Sequence, residues 1–305
     1  MTTGDVMELP GGARPVGQDE LLIVAGETAS GKTALAVSLA RKYGGEIVGA
    51  DSVQVYRRFD IGSGKPTAAE LEGVPHHLLD VADAKDPLDA GMFVELADAA
   101  IEGVRARGRI PIVCGGTFLW LKALVFGLAG APSAPADVRA ALQQEVATLG
   151  SPALHARLST IDAATALRLH PNDALRIVRA LEVHATTGRT LSSWQAEHGF
   201  RSVRHKARIV AIARPRLDLE SRIARRVDRM LQAGLVAEVR ALIAEGYAET
   251  RPMNSVGYAE VKAHLRGDLD EPSLAPKIAR ATRIFARRQR TWLKGANVEW
   301  IPATG

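Results

Sequence analysis

Residues 21–33, "LLIVAGETASGKT", decide the fold of this 305-residue chain. The first five residues form an apolar run of strand length, the pattern of a strand buried on both faces. The segment from Gly26 to Thr33 then fits G-x-x-x-x-G-K-[ST], a loop that cradles phosphates and opens onto a helix. That helix reads from "KTALAVSLARKY". Gly31 opens it, so unpaired N–H groups and the positive end of the helix dipole face whatever anion the loop receives. Lys32 can reach terminal phosphate oxygens, the amides of Ala29 to Thr33 can cradle them, and the Thr33 hydroxyl can join a magnesium shell.

Outward from the loop, strand-length runs alternate with helical patterns: "EIVGA", "HHLLDV", "GMFVELADAAIEGVRARG", "IPIVCGG". Such alternation implies crossover units, so the expected class is α/β, a P-loop-type parallel sheet flanked by helices. After "TFLWLKALVFGL" the texture changes. "AGAPSAPAD" reads as a connection, and from Asp137 to about His198 every pattern is helical. "RIVAIARP" at 208–215 restores a strand, and "VEWIP" closes the chain. The expected organisation is a mobile N-terminal tail over residues 1–18, a core over 19–130 and 201–305, and an all-helical insertion over 131–200.

Composition narrows the class. The single cysteine, Cys114, excludes an internal disulfide and reads as a small apolar side chain in a strand. The N-terminus lacks a basic start followed by an apolar stretch, and no apolar run approaches a membrane span, so a soluble cytoplasmic protein is expected. From residue 201 onward, 21 Lys plus Arg stand against 11 Asp plus Glu, a net of +10; with +5 overall, the first 200 residues carry −5. This asymmetry fits a polyanionic partner or an Arg-rich solvated surface equally well. His76 and His77 read as a strand entry, because adjacent strand side chains point to opposite faces and make a poor metal pair. Trp194 and Trp300 read as packing aromatics, and Trp120 as either packing or the lining of an apolar channel.

A nucleoside triphosphatase needs a strand ending in Asp to help hold magnesium. "EIVGAD", ending at Asp51, is the one predicted strand that does so. Asp51 is therefore a metal ligand or a group facing the substrate, and its local sequence does not choose.

Eight motifs occur in order: "GETASGKT", "DSVQVYRRFDIGSGKP", "VPHHLLD", "PIVCGGTFLWLKAL", "HPNDALRIVRALEV", "RIARRVDRMLQAGLVAEV", "NSVGYAEV" and "RRQRTWLK". Together, over Leu21 to Lys294, they resemble the tRNA dimethylallyltransferases, also called isopentenylpyrophosphate transferases. The resemblance implies transfer of a five-carbon chain from dimethylallyl diphosphate, with Mg2+, to N6 of the adenosine immediately 3′ of the anticodon, and release of pyrophosphate. It implies a diphosphate site made of Gly26, Thr28, Ala29, Ser30, Gly31, Lys32 and Thr33, with Thr33 toward the metal and Thr28 among the catalytic groups. Asp51 corresponds to the family's general base. This role suits the chemistry, since an exocyclic adenine nitrogen is a weak nucleophile that must shed a proton as the C–N bond forms. Arg222 and Arg226 lie four apart on one helix face, and the resemblance favours Arg222 as the inward cation on the leaving group.

For the tRNA anticodon arm, the resemblance points to Asp51, Ser52, Val53, Gln54, Thr117, Arg139, Leu175, Arg176 and Arg179, with the helical insertion closing over the arm. In the basic third it points to "NSVGYA" and to Arg287, Arg288, Gln289 and Trp292, which offer phosphate contacts and a stacking surface. A flipped adenine would meet the allylic tail in a shared channel. The chain departs from the family pattern at three places: Glu27 stands where proline is usual, Leu175 where relatives often carry glutamine, and the pair Ser63-Gly64 where Thr-Ala or Thr-Gly is common. The alternatives are a P-loop kinase or ATPase, prenyl transfer to a free adenine nucleotide, and an RNA-binding module without catalysis. Nothing in the sequence calls for more than a monomer.

Overall fold

A computed structural model describes residues 7–17 and 19–303. In chain order the elements are β1 (Leu21–Ala25), α1 (Lys32–Tyr43), β2 (Gly45–Ala50), α2 (Ala68–Leu71), β3 (His76–His77), α3 (Ala90–Ala106), β4 (Ile110–Gly115) and α4 (Phe118–Phe126). Five helices follow: α5 (Ala136–Leu149), α6 (Ser151–Ile161), α7 (Ala163–Ala166), α8 (Ala174–Thr187) and α9 (Leu191–His198). The chain then runs through β5 (Ala207–Ala213), α10 (Arg216–Gln232), α11 (Leu235–Ala244), α12 (Tyr258–Leu265), α13 (Glu271–Lys294) and β6 (Glu299–Pro302). Two compact units result: the described parts of Met1–Val125 with Arg204–Gly305, and Phe126–Val203.

The first unit holds a six-stranded sheet in the order β3-β2-β4-β1-β5-β6, every neighbouring pair parallel. All five residues of β1 are buried, as expected for a central strand covered by helices on both faces. Its register fixes the site. Ala25 pairs with Gly115 of β4 and with Ala211 of β5, while Ala50 of β2 also pairs with Gly115. β1, β2 and β4 therefore end level while β5 runs on to Ala213, and the residues just beyond them, Gly26, Asp51, Gly116 and Arg214, leave the sheet at one carboxyl edge, where ligands of open parallel sheets bind. Gly115 is the residue that lets the strands approach, since a Cβ there would fall on the Ala50 carbonyl.

Two expectations change. The strand read in "HHLLDV" ends after His77, because Leu78 and Asp80 take φ of +63° and +55° and turn the chain out of the sheet. His77 Nε2 lies 2.7 Å from the Glu46 carboxylate, and among the described residues no cluster of metal-ligating side chains occurs. Of the expected tail, residues 1–6 and 18 lie outside the described residues. The part between is packed: Met7 pairs with Val16, and both, with Leu9, are buried in the core beside Val37 and Tyr43. Trp120 is a packing residue, 2% exposed and stacked on Phe93 at 4.4 Å.

The second unit is helical, with no strand among its residues. Leu142 of α5, Leu154 and Leu158 of α6, and Ile177 and Leu181 of α8 form its core, while Asp162 caps α7 by accepting from the Thr165 amide. Its Trp194 is covered by the Arg189 guanidinium at 4.1 Å.

Candidate functional site

The glycine-rich loop joins β1 to α1. Ala29 and Gly31 take positive φ, +62° and +97°, which turns the chain sharply into the helix. The amides of Thr28 and Ser30 are already used, donating to Gln289 Oε1 at 2.8 Å and to the Glu27 carbonyl at 3.2 Å. Of the loop residues expected at the diphosphate, Ala29, Gly31, Lys32 and Thr33 line a cavity of 790 Å³ at the helix N-terminus. Gly26 and Ser30 are buried and do not line this cavity, nor does Thr28. Burial pushes the Cys114 thiol up to about 11, against the opposing effect of nearby Lys32 and Thr33.

Two guanidinium groups from α10 form the facing wall. Arg222 Nε donates to the Ala29 carbonyl at 3.0 Å, and Arg226 Nη2 to the Ser63 carbonyl at 3.3 Å. A third, Arg214 at the end of β5, is 9% exposed and donates to the Ser30 carbonyl at 2.6 Å. The resemblance favours Arg222 over Arg226, but the helical spacing of four places both on the cavity. Arg214 is not among the expected site residues, and its one mark in the sequence is its place at the carboxyl end of a sheet strand. Burial lowers the pKa of Lys32, Arg222 and Arg226, and Arg214 lowers Arg222 further, while the Asp51 charge pushes Lys32 and Arg226 back up. Asp51 thus acts electrostatically on both cations.

Asp51 Oδ1 accepts from the amides of Val53 and Gln54 at 3.0 and 3.3 Å. These bonds hold the turn that continues β2 and fix the carboxylate. Thr117 packs against the same turn, its Oγ1 accepting from the Ser52 amide at 3.0 Å, and Gln54 donates to the carbonyls of Ser63 and Gly64. That second loop is held from behind by Glu238 of α11. Its carboxylate accepts from the amides of Asp60, Ile61 and Gly62 and from the Tyr258 hydroxyl, at 2.7 to 3.2 Å. Burial, and Glu238 beside it, push the Tyr258 phenol far above its ordinary pKa. Tyr258, in the stretch expected to meet RNA, is fully buried and instead supports this loop.

The remaining expected RNA contacts divide by exposure. Arg287, Arg288 and Trp292 are exposed on α13, the Trp292 ring stacked on Phe118 at 5.9 Å. Gln289, between them, is 5% exposed and turned inward onto the loop, which corrects its expected place at an RNA surface. In the helical unit, Leu175 is 78% exposed and Arg176 pairs with Asp173. Arg139 and Arg179 both lie on the buried Glu182 carboxylate, and Arg179 also donates to the Ala131 and Pro132 carbonyls at 3.0 Å.

Fold and site together define a parallel α/β protein in which guanidinium groups converge on a loop–helix junction near a carboxylate fixed by backbone amides. The sequence profile of the IPP transferase family matches residues 54–296. The chain belongs to that family. It is similar to a tRNA dimethylallyltransferase of Sorangium cellulosum, 54% identical over 287 residues that span 94% of this chain and 91% of the relative. One of Anaeromyxobacter is 52% identical over 93% and 94% of the two chains. Among solved structures, the tRNA isopentenylpyrophosphate transferase of Bacillus halodurans superposes with a TM-score of 0.69 at 35% identity, covering 93% of this chain and 90% of that one. A eukaryotic dimethylallyltransferase acting on tRNA superposes at 0.79 and 26% identity, covering 94% and 74%.

Proposed function

We propose that the chain transfers the dimethylallyl group of dimethylallyl diphosphate to N6 of the adenosine immediately 3′ of the anticodon in tRNA. The bond between the allylic carbon and the diphosphate oxygen breaks, the C–N6 bond forms, and one N6 proton passes to a base. The observation that supports this reading is the level ending of β1, β2 and β4, which brings the Asp51 carboxylate near enough to Lys32 and Arg226, both on the cavity wall, to act on their charges, although Asp51 does not itself line the cavity. Relatives more than 50% identical over nearly the whole chain bear the name of this activity.

Each group then has work that its surroundings suit. Lys32, Arg222 and the amides at the start of α1 bind the diphosphate and stabilise the charge that grows on it as it leaves. Asp51, held by two backbone amides, orients the amine and takes its proton, a contribution of about 10²–10⁴-fold. The donor set fits Mg2+: Thr33 offers a hydroxyl oxygen on the cavity wall, and a hard cation that keeps water and phosphate oxygens needs few protein ligands. When bound, that ion neutralises phosphate charge. Exposed Arg287, Arg288 and Trp292 suit an RNA loop, with phosphate contacts and a stacking face. Among the described residues no helix is long and apolar enough to cross a membrane. The proposed setting, for an enzyme acting on tRNA, is the cytoplasm, with the protein working as a monomer.

The test mixes protein, Mg2+, dimethylallyl diphosphate and an anticodon stem-loop with adenosine after the anticodon, and weighs the RNA. A five-carbon gain, absent with ATP alone and lost in Asp51→Ala, is expected. Gain on free adenine nucleotide but not on RNA would move the assignment to the smaller acceptor, and ATP turnover without prenyl transfer would overturn it.

A further inference from the structure

We propose that Gln289 and Arg290, adjacent residues of α13, are positioning residues for the phosphate-binding loop, and that Arg290 is what makes glutamate tolerable as the loop's second residue. The inference rests on the diphosphate reading of the cavity and adds what holds the cavity's floor in shape.

Glu27 is 2% exposed, so its carboxylate is buried beside the site that receives an anion. Arg290 Nη2 donates to Glu27 Oε2 at 3.0 Å, and its Nε lies 2.9 Å from Oε1. The pair cancels a charge that would otherwise repel phosphate and leave a lone ion in the interior. Arg290 also donates to the Arg214 carbonyl at 2.9 Å, and Arg214 in turn grips the Ser30 carbonyl. Gln289 supplies the second tether. Its Oε1 accepts from Thr28 N and its Nε2 donates to the Gly116 carbonyl at 3.0 Å, so one buried amide ties the loop after β1 to the loop after β4. Gly116 admits it, since a Cβ there would collide with the Gln289 amide. With Arg222 on the Ala29 carbonyl, the outer side of the loop is held at residues 27, 28, 29 and 30. The amides at 29 and 31–33 are left to the anion.

The readouts are calorimetric titration of inorganic pyrophosphate with Mg2+, binding of the anticodon stem-loop, and melting temperature. Arg290→Met strands the Glu27 carboxylate, and pyrophosphate should bind about 10- to 100-fold more weakly with stem-loop affinity unchanged. Removing both charges, in Glu27→Gln with Arg290→Met, should restore pyrophosphate affinity to within about threefold of the parent, since the lone ion is gone. Gln289→Met should raise KM for dimethylallyl diphosphate with kcat at saturation kept. The proposal is overturned if Arg290→Met weakens the stem-loop and spares pyrophosphate, if it lowers only the melting temperature, or if the double variant is no better than the single. Failure of the parent protein to bind pyrophosphate would remove the diphosphate reading itself, and this inference with it.

Discussion

Gly64→Ala probes the wall of the cavity, and Gly73→Ala is its internal control. Both glycines have positive φ, +62° and +74°, so each alanine carries a similar left-handed penalty of about 1–2 kcal/mol. Their surroundings differ. Around Gly73 nothing lies within 4 Å, whereas a Cβ on Gly64 would sit 2.6 Å from Arg226 Cζ, inside van der Waals contact. The guanidinium must then leave and give up its bond to the Ser63 carbonyl. Leaving also relieves its burial, which already lowers its pKa, so the two variants should unfold in urea within about 1 kcal/mol of each other. In activity they should separate. Loss of one charged donor facing a leaving group costs about 10²-fold or more, so kcat/KM for prenyl transfer should fall about that far in Gly64→Ala and stay near the parent value in Gly73→Ala. Arg226→Met should cost the same as Gly64→Ala, and the double variant little more, because both remove one guanidinium. Equal activities of the two alanine variants, or additive losses in the double, would refute the claim that Gly64 exists to admit Arg226.

Asp51→Asn should lower single-turnover kcat by about 10²–10⁴-fold while pyrophosphate binding with Mg2+ is kept or strengthened, and loss of that binding would make Asp51 a metal ligand instead. Lys32→Met should melt above the parent in the absence of ligand, although it binds no pyrophosphate. The sign follows from burial: the folded pKa of Lys32 lies below its unfolded value of 10.5, so the charged lysine costs stability below the folded pKa, and the cost fades as pH rises toward 10.5. A Lys32→Met protein that melts lower at pH 7 would contradict this. Glu238→Ala strands three amides and the Tyr258 hydroxyl, and should cost about 3 kcal/mol in urea unfolding with faster hydrogen exchange at Ile61 and Gly62. Unchanged exchange at those amides would show the loop held by something else.

The parallel sheet and the loop after β1 were legible because the information is local: an apolar run, two glycines, a lysine and a helical period. Asp51 was legible as a strand-end acid. What was not legible lies in contacts that close over long separations. Gln289 reaches Thr28 across 261 positions, and Glu238 reaches Ile61 across 177. In sequence, Gln289 is one polar residue in an arginine-rich helix and reads as surface. Only its angular place on α13, beside buried Ala286 and Leu293, turns it inward. Glu27 was visible as a departure from the family pattern, but its partner was not, because Arg290 carries the same letter as its exposed neighbours. The shortness of β3 escaped for a different reason. Apolar Leu78 and Leu79 continue the strand pattern, and the positive φ at Leu78 leaves no mark in residue type.

The charge asymmetry of the chain has two destinations. Of the basic residues in the C-terminal third, Arg214, Arg222, Arg226 and Arg290 spend their donors on carbonyls or a carboxylate inside the fold. Arg287 and Arg288, on the same helix as Arg290, are exposed. A count of +10 therefore overstates the charge available to a polyanion outside and hides the charge prepared for one within. The inner group is held against its own repulsion and desolvation, which is why Arg222 and Arg226 sit below their ordinary pKa. The scaffold that holds them, the carbonyls of Ala29 and Ser63, belongs to the two loops that border the cavity. On the proposed reading, a diphosphate arriving here would relieve that repulsion without rearranging the donors, and the same fixed donors would meet the extra negative charge as the allylic bond breaks, so that a preorganised site of this kind favours the departing pyrophosphate over the bound ester.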